Sequence, residues 1–264
     1  EREFPDQYIN VGVAEQNMIG VATGLSLEGF KVVAYSIGNF PTLRCLEQIR
    51  NDICLHNLPV CVVSVGGGFG YGALGASHHN LEDIACLGAM PGMNVFMPSS
   101  KKEVEVATDF FFENKSPTYL RLSNLSIECE VGNAPNLEGN FFIKSERSKI
   151  LIISNGYLLT SLFNVLQKND KDSKYDLYSF FKFSEESFKK INFENYETII
   201  TYDESSFNGS SACLLHKYLS DNEINIKVNS YYVTDYTAIP GGSAEFYRSK
   251  FSMSQEDMKK KLFG

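Results

Sequence analysis

Apolar positions change period several times along this chain, and each change marks an element. Residues 9–11 are a short apolar run closed by Gly12. The spacing then turns helical: Met18, Val21, Ala22 and Leu25 fall at i, i+3, i+4 and i+7, and Gly29 stands where a C-terminal cap is expected. This predicts a strand, a turn, and a helix opened by the carboxylate of Glu15. A strand is expected over residues 31–36, then a turn through Gly38. A helix follows from Pro41, a residue suited to the first helical position, to about residue 57, with Leu43, Leu46, Ile49 and Ile53 as its inner stripe. Residues 58–65 are apolar without alternation, the signature of a parallel strand covered on both faces. Beyond the glycine-rich stretch from Gly66 to Gly75 and the polar Ser77-His78-His79-Asn80, the pattern gives a helix over 81–90 and a strand over 94–97. A helix capped within Pro98-Ser99-Ser100 runs to about residue 114, and a strand over 118–122 closes this half.

Periodicity fades over residues 126–139, where Glu, Gly, Asn and Pro dominate, and then resumes. Strands are expected over 149–154, 175–180, 198–203 and 224–228, alternating with helices over 156–168, 185–191 and 210–219. A terminal helix is expected over 254–262, with Ser254 as its cap and three lysines at its far end. Regular alternation of strand and helix predicts an α/β fold of two domains, each a mostly parallel sheet covered by helices. The expected bounds are 1–125 for the first domain, lacking its N-terminal portion, 126–144 for a linker, and 145–264 for the second.

Composition narrows the function. Of 264 residues, 43% are hydrophobic, enough for two cores, and a net charge of −8 argues against nucleic acid or an anionic membrane as partner. The six cysteines contain no Cys-x-x-Cys and lie in apolar segments, which favours buried reduced thiols and a cytoplasmic protein. Residues 55–81 lack Asp, Glu, Lys and Arg, but six glycines between Gly66 and Gly75 make them a poor membrane span. That glycine stretch lacks the lysine of a phosphate-binding loop and the spacing of a dinucleotide fingerprint, so it reads as a close-approach loop lining a ligand channel. His56 and His216 fall within expected helices and read as surface or core residues. No cluster has metal-ligand spacing.

Four blocks carry a resemblance: INVGVAEQNMIGVA, YSIGNFPTLRCLEQIRNDICLHNLPV, GGGFGYGALGASHHNLEDIA and MPGMNVFMPSS, in that order. Together they resemble the C-terminal subunit of split transketolases, whose first domain binds the aminopyrimidine of thiamine diphosphate. From residue 149 onward the resemblance lies only in the strand and helix order of the family's C-terminal domain. It implies that Glu15 is the carboxyl group hydrogen-bonded to the pyrimidine ring nitrogen, which promotes the cofactor's imino form. It further implies that Phe40 stacks on the pyrimidine with Tyr35 as a neighbouring aromatic, and that His78 faces the substrate oxygen. His79 is auxiliary, and Arg44 matches an arginine near the substrate in deoxyxylulose phosphate synthases, relatives of the family. In transketolases the diphosphate and its Mg2+ sit on a module with a Gly-Asp-Gly, which this chain lacks. The resemblance therefore implies a partner, the diphosphate-binding N-terminal transketolase subunit, and self-association into a heterotetramer acting on small sugar substrates.

Three positions depart from the family. Leu74 replaces an aspartate four residues before the histidine, Gly66 replaces a histidine, and Asn124 stands where an arginine grips a sugar phosphate. With that arginine goes a bidentate phosphate donor, which points to a specialised sugar. The competing readings are the beta subunit of a 2-oxo acid dehydrogenase, a deoxyxylulose phosphate synthase-like enzyme, and a noncatalytic scaffold that keeps the fold.

Overall fold

The computed structural model of the protein describes residues 2–124, 136–137, 139–237, 239 and 241–264. In its first half, β1 (Val32–Ile37), β2 (Val60–Val65), β3 (Asn94–Phe96) and β4 (Thr118–Leu122) form a parallel sheet in the order β1-β2-β4-β3. The interior strand β2 explains its unbroken apolar run: Val60 and Val62 enter one core layer, Cys61 and Val63 the other. Around this sheet pack α1 (Glu15–Leu27), α2 (Leu46–Gln48), α3 (Asp83–Gly88) and α4 (Lys101–Glu113). Helix α1 buries Glu15, Ile19, Ala22 and Ser26, a face turned slightly from the expected one, with Met18 packed at its rim. Its C-terminal glycine is where the pattern put it, at φ +95°. Residues 9–11 form no strand.

The helix expected from Pro41 is a composite. Pro41 lies in a turn, followed by a 3-10 turn at Leu43–Cys45, then α2, then a π-helical stretch at Ile49–Cys54. The widened turns are visible in i+5 hydrogen bonds from Leu55 N to Arg50 O and from Leu58 N to Ile53 O, both 3.0 Å. They bring Cys45, Ile49 and Ile53 onto the core while Leu43 and Leu46 stay only partly buried.

The second half contains β5 (Asn140–Ile143), β6 (Ile150–Ser154), β7 (Tyr175–Ser179), β8 (Thr198–Ser206) and β9 (Lys227–Val233), in the order β5-β7-β6-β8-β9. All neighbours are parallel except β5, which runs antiparallel to β7. Its helices are α5 (Gly156–Asn169), α6 (Ser211–Asp221), α7 (Ala244–Lys250) and α8 (Gln255–Phe263), the last capped by Ser254 as expected. Strand β5 corrects the expected linker of 126–144: four residues inside it belong to the second sheet, through pairing with a strand some 35 residues away that no local pattern announces. Residues 126–135 and 138 of that linker, Cys129 among them, lie outside the described residues, as does residue 125. The helix expected over 185–191 is a 3-10 turn at Glu185–Phe188. Among the described residues no helix is long and apolar enough to cross a membrane.

The two halves share a core. One cluster joins Ile19, Val60 and Val95 to Leu151, Ile153 and Phe180. Backbone hydrogen bonds cross between them, from Met97 N to Phe181 O (2.6 Å), from Phe183 N to Val95 O (2.9 Å) and from Ser206 N to Leu81 O (2.9 Å). The glycine-rich stretch works here, as a wedge between the halves. Phe69 is fully buried and stacks between Tyr247 at 5.1 Å and Phe251 at 5.8 Å. A Cβ on Gly67 would lie 2.5 Å from Arg121 Nε, on Gly68 2.4 Å from Glu204 Cγ, and on Gly72 2.8 Å from the Ala244 nitrogen. Gly68 and Gly72 answer to close packing against the other half, and Gly67 to packing against Arg121 of β4 in its own.

Candidate active site

Four of the residues singled out by sequence, Glu15, Phe40, Arg44 and His78, converge at the carboxyl edge of the first sheet, where parallel α/β sheets hold ligands. Gly12, at φ +75°, turns the chain into α1 and donates its N–H to Asn10 Oδ1 at 2.8 Å. Ala14 supplies no side-chain cap, so the carboxylate of Glu15 stands alone at the positive end of the helix. It is 8% exposed. Its Oε1 accepts from Ser36 Oγ at 3.4 Å, and its Oε2 pairs with Arg44 Nη1 at 2.5 Å. The Arg44 guanidinium then lies over the Phe40 ring, 4.6 Å from its centre, and the Phe40 ring meets the His78 imidazole edge-on at 5.2 Å. His78 Nδ1 is 3.0 Å from Ser77 Oγ, and Asn39 Nδ2 donates to Ser77 O at 3.1 Å. Glu15, Arg44, Phe40 and His78 thus form one continuous series.

The electrostatics follow from this geometry. Arg44 is the cation of the series and keeps 45% of its side chain in solvent, so it can leave Glu15 without crossing a core. Cys45, behind it, is a buried thiol pushed up to about 11 by burial, with the Glu15 charge adding to the rise and Arg44 opposing it. A buried carboxylate beside an aromatic face suits a flat nitrogen heterocycle with N–H donors at its edge. The guanidinium now uses the same two contacts.

Three expected site residues stand apart. Tyr35 is on the uncovered face of the edge strand β1, 58% exposed, its hydroxyl in electrostatic reach of Tyr71 rather than in the contacts that join Glu15 to His78. His79 turns the opposite way from His78. It is 1% exposed, packed edge-on against Phe69, Tyr236 and Tyr247, and burial pushes its imidazole below the ordinary range against the pull of Glu82 and Glu204. Asn124 is exposed after β4, and its amide donates to Gly70 O at 2.7 Å, which latches the glycine stretch.

Sequence reading passed over the charged centre beneath the site. Arg121 Nε pairs with Asp83 Oδ2 at 3.1 Å, both almost fully buried, and Tyr119 donates to the same oxygen at 2.5 Å. Burial pushes the Asp83 carboxyl up while Arg121 and Tyr119 pull it back. An arginine within the apolar run Tyr119-Leu120-Arg121-Leu122 and an aspartate opening an apolar helix were the available signal, since buried charges need partners. Among the described residues no group of three His, Cys, Asp or Glu side chains is placed to hold a metal ion.

Comparison with known proteins accords with this geometry. Residues 1–128 match the transketolase pyrimidine-binding domain family. The chain is 27% identical over 259 residues to an apulose-4-phosphate transketolase subunit of Phocaeicola vulgatus, covering 93% of this chain and 80% of that one. To the apulose-4-phosphate transketolase subunit of the same kind in Actinobacillus succinogenes it is 31% identical over 156 residues, 59% of this chain and 50% of that one. Among solved structures, a split-gene transketolase described as an inactive beta4 tetramer superposes with a TM-score of 0.81 at 23% identity, over 98% of this chain and 83% of that one.

Proposed function

We infer that this chain, whose residues 1–128 match the transketolase pyrimidine-binding domain family, is the C-terminal subunit of a thiamine diphosphate-dependent, transketolase-like transferase. The observation that carries the reading is the series Glu15–Arg44–Phe40–His78, in which one buried carboxylate and one aromatic face already hold a flat cation at the sheet's carboxyl edge. Thiamine diphosphate supplies, when bound, a thiazolium carbon that lets a bond beside a ketose carbonyl break and a two-carbon unit pass to an aldehyde. Glu15 would take the pyrimidine ring nitrogen as its hydrogen-bond partner in place of Arg44, and Phe40 would stack on the ring. His78, at the outer end of the series, would face the substrate oxygen and give or take its proton. Tyr35 stands on an uncovered face and would reach the cofactor only with a neighbouring subunit against it.

The diphosphate and Mg2+ are assigned to a partner, the diphosphate-binding N-terminal subunit, because this chain lacks Gly-Asp-Gly. Two copies of each would make the heterotetramer. The relatives named for apulose-4-phosphate, together with Asn124 where transketolases carry an arginine, support a specialised sugar as substrate. Arg44 and Asn124 are the residues assigned to its approach, and His79 acts behind them from its buried cage. Calorimetric titration with thiamine diphosphate and Mg2+ tests the reading, on this chain alone and mixed with the partner subunit. Tight binding is expected only in the mixture. Binding by the chain alone would place the diphosphate site here, and no binding in the mixture would favour a noncatalytic subunit.

A further inference from the structure

Below Phe40 and His78 lies a chain of buried hydrogen bonds with a defined direction. Ser64, the fifth residue of β2 and fully buried, donates its hydroxyl to Gly38 O at 2.5 Å. A hydroxyl has one proton, so toward Asn80 it can only accept, and Asn80 Nδ2 donates to it at 3.2 Å. The same amide donates to Asp83 Oδ2 at 3.0 Å, which fixes its orientation, since a flip would set its oxygen against a carboxylate. The Asn80 backbone is held as firmly: its N–H donates to Gly68 O at 3.0 Å, and its carbonyl accepts from Gly68 N at 2.9 Å and from Arg121 Nη2 at 2.5 Å. Gly38 lies two residues before Phe40, and Asn80 two residues after His78. A second tie crosses above, from Asn39 Nδ2 to Ser77 O at 3.1 Å. Space is tight between the two loops: a Cβ on Gly38 would lie 3.3 Å from His78 O.

We propose that Ser64 and Asn80 are positioning residues that set the His78 imidazole against the Phe40 ring, and so fix where the substrate oxygen is met. They touch neither cofactor nor substrate and act through the two loops they join. The inference rests on the function proposed for Phe40 and His78. It makes the distance between the two loops a property of β2, an interior strand of the sheet.

A kinetic cycle on the complete complex with the partner subunit tests it. Serine to alanine at position 64 removes one hydroxyl and leaves the packing. S64A is expected to lower kcat about tenfold, with KM and the calorimetric affinity for thiamine diphosphate changed less than about twofold. In an H78A background the same substitution is expected to cost less than about twofold, because a positioning residue has nothing left to position. N39A removes the exposed second tie, cannot unfold a core, and is expected to show the same dependence on His78. A full loss from S64A and N39A in the H78A background, or no loss from either in the wild type, would overturn the proposal while cofactor binding stands. A wild-type complex that binds no thiamine diphosphate would sink the functional reading, and this proposal with it.

Discussion

Glu15 has room for one strong partner, and in the isolated chain Arg44 takes that place. On the function proposed above, a pyrimidine would compete with the guanidinium for this carboxylate and for the Phe40 ring. Replacing Arg44 with glutamine keeps the length and removes the charge. R44Q is expected to tighten thiamine diphosphate binding by the complex severalfold, consistent with a half-exposed ion pair worth about 1 kcal/mol or less. Calorimetry on R44Q and wild type reads this directly, and weaker binding by R44Q would make Arg44 a ligand of the cofactor instead of its competitor. E15Q keeps the shape and loses the charge. Turnover is expected to fall by roughly 100-fold or more, and steady-state activity unchanged in E15Q would end the catalytic reading of this residue.

Among the elements, the glycine stretch separates two reasons for a glycine. Gly68 and Gly75 both have positive φ, at +66° and +80°, so a side chain at either is strained. Only at Gly68 would a Cβ also strike a fixed group, because Glu204 is held by Arg248 Nε at 2.8 Å and cannot give way. G68A is expected to cost at least about 2 kcal/mol more than G75A in urea unfolding. Equal costs would mean that the wedge is looser than its contacts imply. In α4, Ser100 Oγ accepts from Glu103 N at 3.2 Å, the cap expected within Pro98-Ser99-Ser100. S100A should lose about 1 kcal/mol in the same measurement.

Across the whole molecule, α4 also bears a carboxyl buried where the two halves meet. Glu103 is fully buried and accepts from Ser99 N at 2.7 Å, with Asn140 of β5 and Ser179 of β7 as its neighbours in the second sheet. Burial pushes it from an ordinary 4.5 to about 7, against the pull of those hydrogen bonds. Asp203, buried beside Ser211 and Asn155, is pushed up to about 6 for the same reason. A raised carboxyl holds its proton more tightly in the folded state. Its contribution is therefore full below pH 4.5 and is lost as pH rises through about 7. Between pH 5 and 8 the wild type is expected to lose roughly 2 kcal/mol more than E103Q, read from urea midpoints at both pH values. Parallel pH profiles for the two proteins would show that Glu103 stays ionised in the fold.

The sequence by itself determined the alternation of strand and helix and the two-sheet α/β class, which are properties of local period and of residue type that neighbours in the chain are enough to specify. Glu15, Phe40 and His78 were singled out by the resemblance of whole blocks to a family, not by period. Only the tertiary structure decided how those residues face one another. It paired Glu15 with Arg44 across 29 positions, sent His78 and His79 to opposite sides, and took β5 out of the linker by pairing it with β7. It also tied Arg121 and Asp83 together beneath the site, so that two isolated polar residues in apolar elements became one ion pair. In each case the deciding contact joins residues far apart in sequence. Its free energy comes from burial and partner choice, which exist only once the sheets have closed on each other.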